Sequence, residues 1–212
     1  MTKVIGANLI LVANDDVASA PKAVKEQRHG IAGGFFMWKV GGARAAKGGS
    51  LDDVIASAQN VVNRTKSICV GLEPCVIPAL GHSNFKIEDG TMEFGVGHHG
   101  EAGTKVEKLK SASEMAQEMA ETILNDFDFE EGKEVAVMLS GLGATPVMEL
   151  YVLYDEVEKV LAKAGHKVWK TYIGNYVTSL DMNGASLTIV DLDDEIKELL
   201  SEPAVPIGMK NY

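Results

Sequence analysis

The stretch that decides the fold runs from Glu134 to Gly165 and reads EVAVMLSGLGATPVMELYVLYDEVEKVLAKAG. Its first part, Glu134–Leu139, is a short apolar run that is typical of a buried strand. After a glycine-rich turn, apolar residues recur at intervals of three and four and share one face of a helix predicted over Thr145–Ala164. Gly165 is predicted to end this helix. The apolar positions are Leu150, Leu153, Tyr154, Val157, Val160 and Leu161.

Apolar runs and helical segments continue to alternate on both sides of this unit, with turn residues between them. This alternation indicates an α/β fold rather than a β-sandwich or a helical bundle. A further helix is predicted between Gly34 and Gly48. The other predicted strands are Leu9–Ala13, Ser67–Leu72, Met92–Val96, Val168–Ile173 and Ser186–Val190.

Two helix starts carry capping signals. Ser50 precedes Asp52 and Asp53, and a serine hydroxyl followed by acidic residues suits the free amides and positive end of a first turn. A helix is therefore predicted from Ser50 through Val62. Ser111 and Glu114 have the spacing of a capping box, which predicts a second helix that continues to Leu124.

The composition is that of an ordinary globular chain, with 212 residues, 46% hydrophobic and 24% charged. Because 30 acidic and 20 basic side chains give a net charge of −10, a nucleic acid or an anionic membrane surface would repel it. The two cysteines, Cys69 and Cys75, have no C-x-x-C spacing, and no apolar run is long enough to span a bilayer. We expect a cytoplasmic protein whose partners are small molecules or proteins, with no nucleic acid and no membrane.

Prolines and turn residues between Pro74 and Gly90 interrupt any regular element. This break predicts a boundary between a first part, residues 1–85, and a second part, residues 86–212. The second part ends in a tail that begins at Pro203 and is predicted to be extended over the surface.

The sharpest functional signal is GVGHHGEAG at residues 95–103, directly after a predicted strand. Glycines permit positive φ and let a ligand approach the backbone, and a histidine that titrates near neutrality can act as a nucleophile or transfer a proton. The alternative is a tight turn with solvent-exposed histidines. A metal site formed by His98, His99 and Glu101 is less favoured, because adjacent side chains diverge and no further ligand follows at a fixed spacing.

The glycine-rich turn SGLGATP at residues 140–146 lies between a strand and a helix, where free amides can bind an anion. It lacks the Lys-Ser/Thr ending of a P-loop and the spacing of G-x-G-x-x-G. The favoured interpretation is structural, with Thr145 as the N-cap and Pro146 at the first helical position.

Two acidic residues, Asp15 and Asp16, follow the first predicted strand. Loops at strand ends gather active-site residues in open α/β sheets, so a ligand role is one interpretation. A solvated turn is the other.

Four motifs, taken in order, resemble the dihydroxyacetone-binding subunit of dihydroxyacetone kinases. They are NDDVA at 14–18, EFGVGHHGE at 93–101, LGATP at 142–146 followed by Glu149 and Leu150, and TSLDMNG at 178–184. The resemblance covers nearly the whole chain and preserves the motif order. It implies that residues 1–85 are the C-terminal part of a first α/β domain, and that residues 86–212 form a second, mixed-sheet α/β domain of the DhaK type.

The resemblance also implies a covalent site. In that family a histidine of the GxHGE motif adds through an imidazole nitrogen to the carbonyl carbon of the substrate and gives a hemiaminal. The matching residue here is His99. A neutral imidazole is a competent nucleophile near neutral pH. Gly97, His98, Gly100 and Glu101 are the substrate-binding residues that the motif implies, and no metal is expected.

Cofactors and partners follow from the same resemblance. No cofactor is expected on this chain, and ATP or ADP with Mg²⁺ is expected on a separate, DhaL-like subunit. On that subunit the nucleotide is either rephosphorylated by a phosphotransferase-system protein or replaced by free ATP. The expected ligand is a short-chain ketose such as dihydroxyacetone. A symmetric homodimer is a further expectation.

This sequence departs from the family pattern at two positions beside the motif. His98 stands where a bulky aliphatic residue is common, and Ala102 stands where a proline is common. Neither change removes His99, but both alter the surroundings of the pocket, so the sugar need not be dihydroxyacetone.

The family's GSGHEP loop, with a proton-transfer histidine, and a nearby aspartate are absent from these 212 residues. We therefore expect a companion chain that supplies the N-terminal half of the subunit and these acid/base residues, without which this chain is inactive as a kinase component. The alternative is a non-catalytic, sugar-sensing coregulator on the same scaffold.

Overall fold

The computed structural model describes residues 10–83, 85–99, 101–128 and 132–206. In these ranges no helix is long and apolar enough to cross a membrane. A 3₁₀ segment at Lys22–Gln27 precedes the first helix. The helices are α1 (Gly34–Ala46), α2 (Leu51–Asn63), α3 (Ala112–Asp126), α4 (Val147–Lys163) and α5 (Asp194–Ser201). The strands are β1 (Thr65–Glu73), β2 (Thr91–Phe94), β3 (Lys105–Lys108), β4 (Glu134–Gly141), β5 (Lys167–Gly174) and β6 (Asn183–Asp191).

The six strands form one sheet in the order β3-β2-β1-β6-β4-β5. Only β4 and β5 are parallel, and every other neighbouring pair is antiparallel. The predicted α/β class with a mixed sheet is confirmed. Because β1 precedes residue 85 while its neighbours β2 and β6 follow it, the sheet crosses the predicted boundary. The division into two domains at that residue stays a prediction, and residues 207–212 of the predicted tail lie outside the described residues.

Helices cover both faces of the sheet. On one face α3 and α4 pack against the strands, and Ile123, Leu161 and Leu187 are fully buried there. On the other face α1, α2 and α5 bury Phe36 and Met138. Burying a side chain of this size stabilises the fold by about 1.5–3 kcal/mol. These two apolar layers hold the sheet in place, and the loops at the ends of its strands are positioned by it.

The predicted serine cap at Ser50 and the predicted capping box at Ser111 are both confirmed, and Ser50 also forms a capping box. The Ser50 hydroxyl accepts a hydrogen bond from the Asp53 amide at 3.2 Å, and the Asp53 carboxylate accepts one from the Ser50 amide at 2.9 Å. Ser111 and Glu114 make the same reciprocal pair, at 3.4 and 2.9 Å. These bonds satisfy amides that the first helical turn leaves free, so they fix the starts of α2 and α3.

The predicted cap of α4 is wrong. The helix begins at Val147, Pro146 occupies the N-cap position, and no side chain caps it. Thr145 cannot enter the helix because a residue before proline is pushed into extended backbone. Its hydroxyl instead lies 2.8 Å from the amide and 2.6 Å from the carbonyl oxygen of Gly184, at the start of β6.

The predicted strand at Leu9–Ala13 is also wrong. Leu9 lies outside the described residues, and residues 10–13 form no strand. Ile10 and Val12 are 83% and 63% exposed. Sheet-like pairing begins only at Asp15, whose carbonyl oxygen accepts from the Ser67 amide at 2.7 Å. A run of apolar residues does not form a strand by itself when no neighbouring backbone accepts its hydrogen bonds.

Strand β3 was not predicted. It reads KVEK, and Val106 in it is 64% exposed. The strand pairs with β2 along its full length and forms one edge of the sheet. An edge strand of alternating charge lacks the apolar run on which strand prediction depends.

Candidate functional site

A glycine turns the chain from β2 into the histidine loop. Gly95 has φ of 76°, and its amide donates to the carbonyl oxygen of Cys69 on β1 at 2.7 Å. A Cβ at this position would lie 2.7 Å from the Cβ of Ala18. The loop then closes on itself, since the Gly97 amide donates to the Glu101 carbonyl oxygen at 3.0 Å. The motif therefore forms a compact loop anchored to the middle of β1.

His99 lies at the outside of this loop with its side chain 85% exposed. Its amide donates to Glu101 Oε2 at 2.8 Å, and its Nδ1 lies 3.5 Å from Glu101 Oε1. Partial burial raises the pKa of Glu101, but hydrogen bonds from backbone amides, including that of His99, outweigh it and hold the pKa below its usual value. Glu101 is therefore a carboxylate that orients His99 through both backbone and ring.

Gly97 leaves the space in which the Glu101 side chain lies. A Cβ on Gly97 would approach Glu101 Oε2 to 2.3 Å and the Glu101 Cβ to 2.8 Å. Because no real Cβ makes such contacts, Gly97 is required for the position of the carboxylate. Gly100, the other glycine of the predicted site, lies outside the described residues.

His98 points in the opposite direction, into the protein. Its Nε2 lies 3.7 Å from the Sγ of Cys69, and its carbonyl oxygen accepts from the Ser179 hydroxyl at 2.7 Å. Burial, together with the neighbouring His99, lowers the pKa of His98 to about 4. His98 is thus a neutral imidazole at pH 7 that anchors the loop to the interior of the protein.

Two buried carboxyl groups lie beside the same part of β1. Asp15 accepts from the amides of Gly33 at 2.7 Å and Ile31 at 3.1 Å, and it is 1% exposed. Asp16 is 2% exposed. Burial raises its pKa to about 6, although the hydrogen bond from the Ala18 amide acts to lower it. The interpretation of this pair as a solvated turn is wrong. Burial raises the pKa of the Cys69 thiol, and both aspartates raise it further.

The glycine-rich turn at residues 140–146 serves the structure. The Ser140 hydroxyl accepts from the amides of Tyr176 and Val177, at 3.0 Å each. The Ser179 amide donates to the Leu142 carbonyl oxygen at 2.7 Å. The turn therefore holds the loop at residues 175–182, whose Ser179 in turn holds His98.

Gly97, His99 and Glu101 lie together in the loop, whereas His98 faces Cys69 and Ser179 in the interior. Their assignment as a substrate site stays a prediction. Within the described ranges no group of three or more histidine, cysteine or acidic side chains is arranged to hold a metal ion. Sequence reasoning missed the contacts of His98 with Cys69 and Ser179. Ser179 belongs to the fourth resembling motif, so the order of the motifs was its only signal.

The mixed sheet and the histidine loop that follows β2 define the class: a mixed-sheet α/β protein with a glycine-framed histidine loop. The particular family follows from the whole sequence. The chain belongs to the Dak1 domain family, since the Dak1 domain pattern matches residues 3–207.

Curated relatives share this sequence at substantial identity. The dihydroxyacetone-binding subunit of PTS-dependent dihydroxyacetone kinase 1 from Listeria innocua is 39% identical over 185 residues, which cover 87% of this chain and 56% of that subunit. D-erythrulose kinase from Mycolicibacterium smegmatis is 37% identical over 190 residues, which cover 90% of this chain and 33% of the kinase. The chain thus spans little more than half of the first relative and a third of the second.

Solved structures show the same fold. The dihydroxyacetone kinase operon co-activator Dha-DhaQ superposes with a TM-score of 0.84 and 29% identity, over 91% of this chain and 60% of the co-activator. A kinase subunit and a co-activator are therefore both similar to this chain.

Proposed function

We propose that this chain is the ketose-binding component of a dihydroxyacetone-type kinase and holds a short hydroxyketone as a covalent hemiaminal on His99. The observation that carries the proposal is the exposed imidazole of His99 facing the Glu101 carboxylate at 3.5 Å. Gly97 leaves the space for the Glu101 carboxylate, and His98 supports the loop from the inside. The similarity to dihydroxyacetone-binding and erythrulose kinase proteins supports the class of ligand.

The contact with Glu101 favours a proton on Nδ1 and leaves the lone pair on Nε2. Nε2 of His99 attacks the carbonyl carbon, and the C=O π pair moves to oxygen, which takes a proton from solvent water. Nδ1 releases its proton to Glu101, which passes it to solvent, so the hemiaminal is neutral, Glu101 is again a carboxylate and no net proton is gained or lost. The adduct fixes the ketone and presents its terminal hydroxyl, so that much of the catalytic contribution is positioning.

Phosphoryl transfer to that hydroxyl uses a separate nucleotide-bearing, DhaL-like subunit. ATP or ADP and Mg²⁺ reside on that subunit, and none on this chain. The turn at residues 140–146 supports this division, because its polar groups bind the loop at 175–182 rather than presenting a phosphate cradle. Catalysis takes place at a protein interface and in the cytoplasm.

A companion chain completes the site and supplies the acid/base residues. Two exposures support it: the His99 side chain is open to solvent, and Ile10 and Val12 have exposed apolar side chains. A companion strand that pairs with residues 10–14 would extend the sheet-like contact that Asp15 begins with Ser67. A second copy of this chain can add a twofold contact to the same assembly.

Carbon-13 NMR with dihydroxyacetone labelled at its carbonyl tests the covalent step. The carbonyl resonance should be replaced by a protein-bound tetrahedral carbon, and H99N should abolish it. H82N is the matched control, because His82 is an exposed histidine outside the loop. An adduct of equal yield in H99N would refute the assigned nucleophile. Labelled erythrulose in the same assay ranks the two ketoses.

A second candidate function is a non-catalytic, ketose-sensing coregulator, which the similarity to a kinase operon co-activator favours. Mixing this chain and its companion with a nucleotide-loaded kinase subunit separates the two. Phosphorylation of a short ketose excludes the sensor, whereas adduct formation without turnover excludes the kinase component.

A further inference from the structure

A cavity of about 280 Å³ lies at the end of the sheet where β1 begins and β6 ends, away from the histidine loop. Four cationic side chains line it, and they come from the 3₁₀ segment and from the junction of α2 with β1. These are Lys22, Lys25, Arg64 and Lys66. Such a concentration of positive charge is unexpected on a chain with a net charge of −10.

The acidic side chains that line the same cavity are already paired. Lys22 contacts Asp128 at 2.7 Å, and Arg64 contacts Asp191 at 2.5 Å. Both oxygens of Asp126 accept from the Arg28 guanidinium, at 2.7 Å each, and that arginine side chain is 1% exposed. Of the other two lining cations, Lys66 contacts only Asp126, at 4.0 Å, and Lys25 contacts none of these carboxylates among the described residues.

Lys66 is the more unusual of the two. Its side chain is 8% exposed, and its ammonium comes no closer than 4.0 Å to Asp126, whose oxygens are engaged by Arg28. Among the described residues its Nζ makes no hydrogen bond. Burial lowers the pKa of Lys66, and the opposite charge of Asp126 only partly compensates. A largely buried side chain whose ammonium lies 4.0 Å from a carboxylate that it shares with an arginine is only weakly paired, so it marks a place where a further anion is stabilised.

Lys25 supplies a second positive charge, on the solvent side of the cavity. It is exposed, and within the described residues its ammonium has no carboxylate partner. The four lining cations and Arg28 face three lining carboxylates, so positive charge is in excess among the described residues and suits an anionic phosphate group. The volume accommodates a phosphate group together with a few carbon atoms.

We propose that this cavity is an anion site that binds the phosphate group of a small phosphorylated compound between Lys66 and Lys25. Lys66 donates from the buried side and Lys25 from the solvent side, while Arg28 and Arg64 hold the neighbouring carboxylates away from the anion. The site is separate from the ketose site, so its occupancy does not depend on the function proposed for His99.

Isothermal titration of the full chain with inorganic phosphate tests the site. Saturable binding with one phosphate per chain is expected, and K66Q and K25Q should each weaken it by about tenfold or more, a change equivalent to about 1.4 kcal/mol. K86Q is the matched control, because Lys86 is exposed and pairs with Glu88 outside the cavity. Binding that is absent in the wild type, or unchanged in both variants, would overturn the proposal.

Thermal unfolding gives a second readout that a merely structural lysine would not produce. Phosphate should raise the melting temperature of the wild type and of K86Q, but not that of K66M. Without phosphate, K66M should be at least as stable as the wild type, because it removes a largely buried charge whose carboxylate contact is at 4.0 Å. If K66M fails to fold, K25Q decides alone, since Lys25 is exposed and its replacement leaves the interior intact.

Discussion

The carboxylate of Glu101 contacts His99 at two places, with Oε2 accepting from its amide at 2.8 Å and Oε1 lying 3.5 Å from its ring Nδ1. One side chain thereby fixes both the backbone turn and the orientation of the imidazole. The reactivity proposed for His99 therefore depends on residues that never touch the ketose, and this dependence can be tested.

Gly97→Ala should displace the Glu101 carboxylate, because the new Cβ would lie 2.3 Å from Oε2. We expect ketose adduct formation to weaken by at least about tenfold, since reactive geometry tolerates little misplacement. Carbon-13 NMR titration measures it. The control is Gly42→Ala, an open position in α1 where alanine should stabilise the helix by about 0.5–1 kcal/mol. Equal adduct formation in G97A and the wild type would show that Glu101 is not needed.

The buried groups around the loop predict an unusual response to acid. With a pKa of about 4, folded His98 binds fewer protons than the unfolded chain as the pH falls below about 6.5, so it lowers stability there. With a pKa of about 6, folded Asp16 binds more protons than the unfolded chain between about pH 4 and 6, so it raises stability there. The two effects oppose each other in the window that they share.

His98→Ile and Asp16→Asn should separate these effects. Between pH 6 and pH 5, H98I should gain stability relative to the wild type and D16N should lose it, each by about 1 kcal/mol per pH unit at most. Urea unfolding at the two pH values gives the comparison. Parallel pH dependence in the three proteins would contradict the burial of these groups.

Thr145→Val should destabilise the fold by about 1–3 kcal/mol, because the buried Gly184 amide loses the hydroxyl at 2.8 Å. Thr91→Val provides the same chemical change at an exposed hydroxyl, where the loss should stay within about 0.5 kcal/mol. Chemical denaturation compares the two. A T145V variant as stable as T91V would mean that water or another donor replaces the lost contact.

Ser179→Ala should loosen the histidine loop by removing the hydrogen bond to the His98 carbonyl at 2.7 Å. Stability should fall by about 1 kcal/mol, and ketose affinity should fall by about tenfold because the loop positions His99. Ser201→Ala, at an exposed serine near the end of α5, should change neither. Unchanged affinity in S179A would separate loop anchoring from ketose binding.

Much of the fold is predictable where one local signal dominates. The helix caps at Ser50 and Ser111 depend on residues close by in the sequence, and so do the apolar runs of β1, β4 and β6. The local pattern was therefore sufficient to predict these elements. The errors in strand prediction lie at residues 10–13 and in β3. In both, strand formation depends on which backbone lies alongside, and a single segment does not carry that information.

The position of the histidine loop directly after β2 was predictable, but the orientation of its two histidines was not. Adjacent histidines must diverge, yet which one faces the interior depends on the turn at Gly95 and on the anchor at Ser179. The burial of Asp15 likewise depends on the amides of Ile31 and Gly33, which no local pattern reports. Contacts between distant segments decided every feature that the sequence interpretation left open.

The sheet order has a consequence for synthesis on the ribosome. Among the described strands β6 comes last along the chain, yet it occupies the place between β1 and β4, with Cys69 opposite Ser186 and Val137 opposite Ile189. Until Asp191 has left the exit tunnel, β1 and β4 lack the strand that joins them. The nascent chain must keep two apolar half-sheets apart until that strand arrives, so its yield in cells should depend on chaperones that shield them.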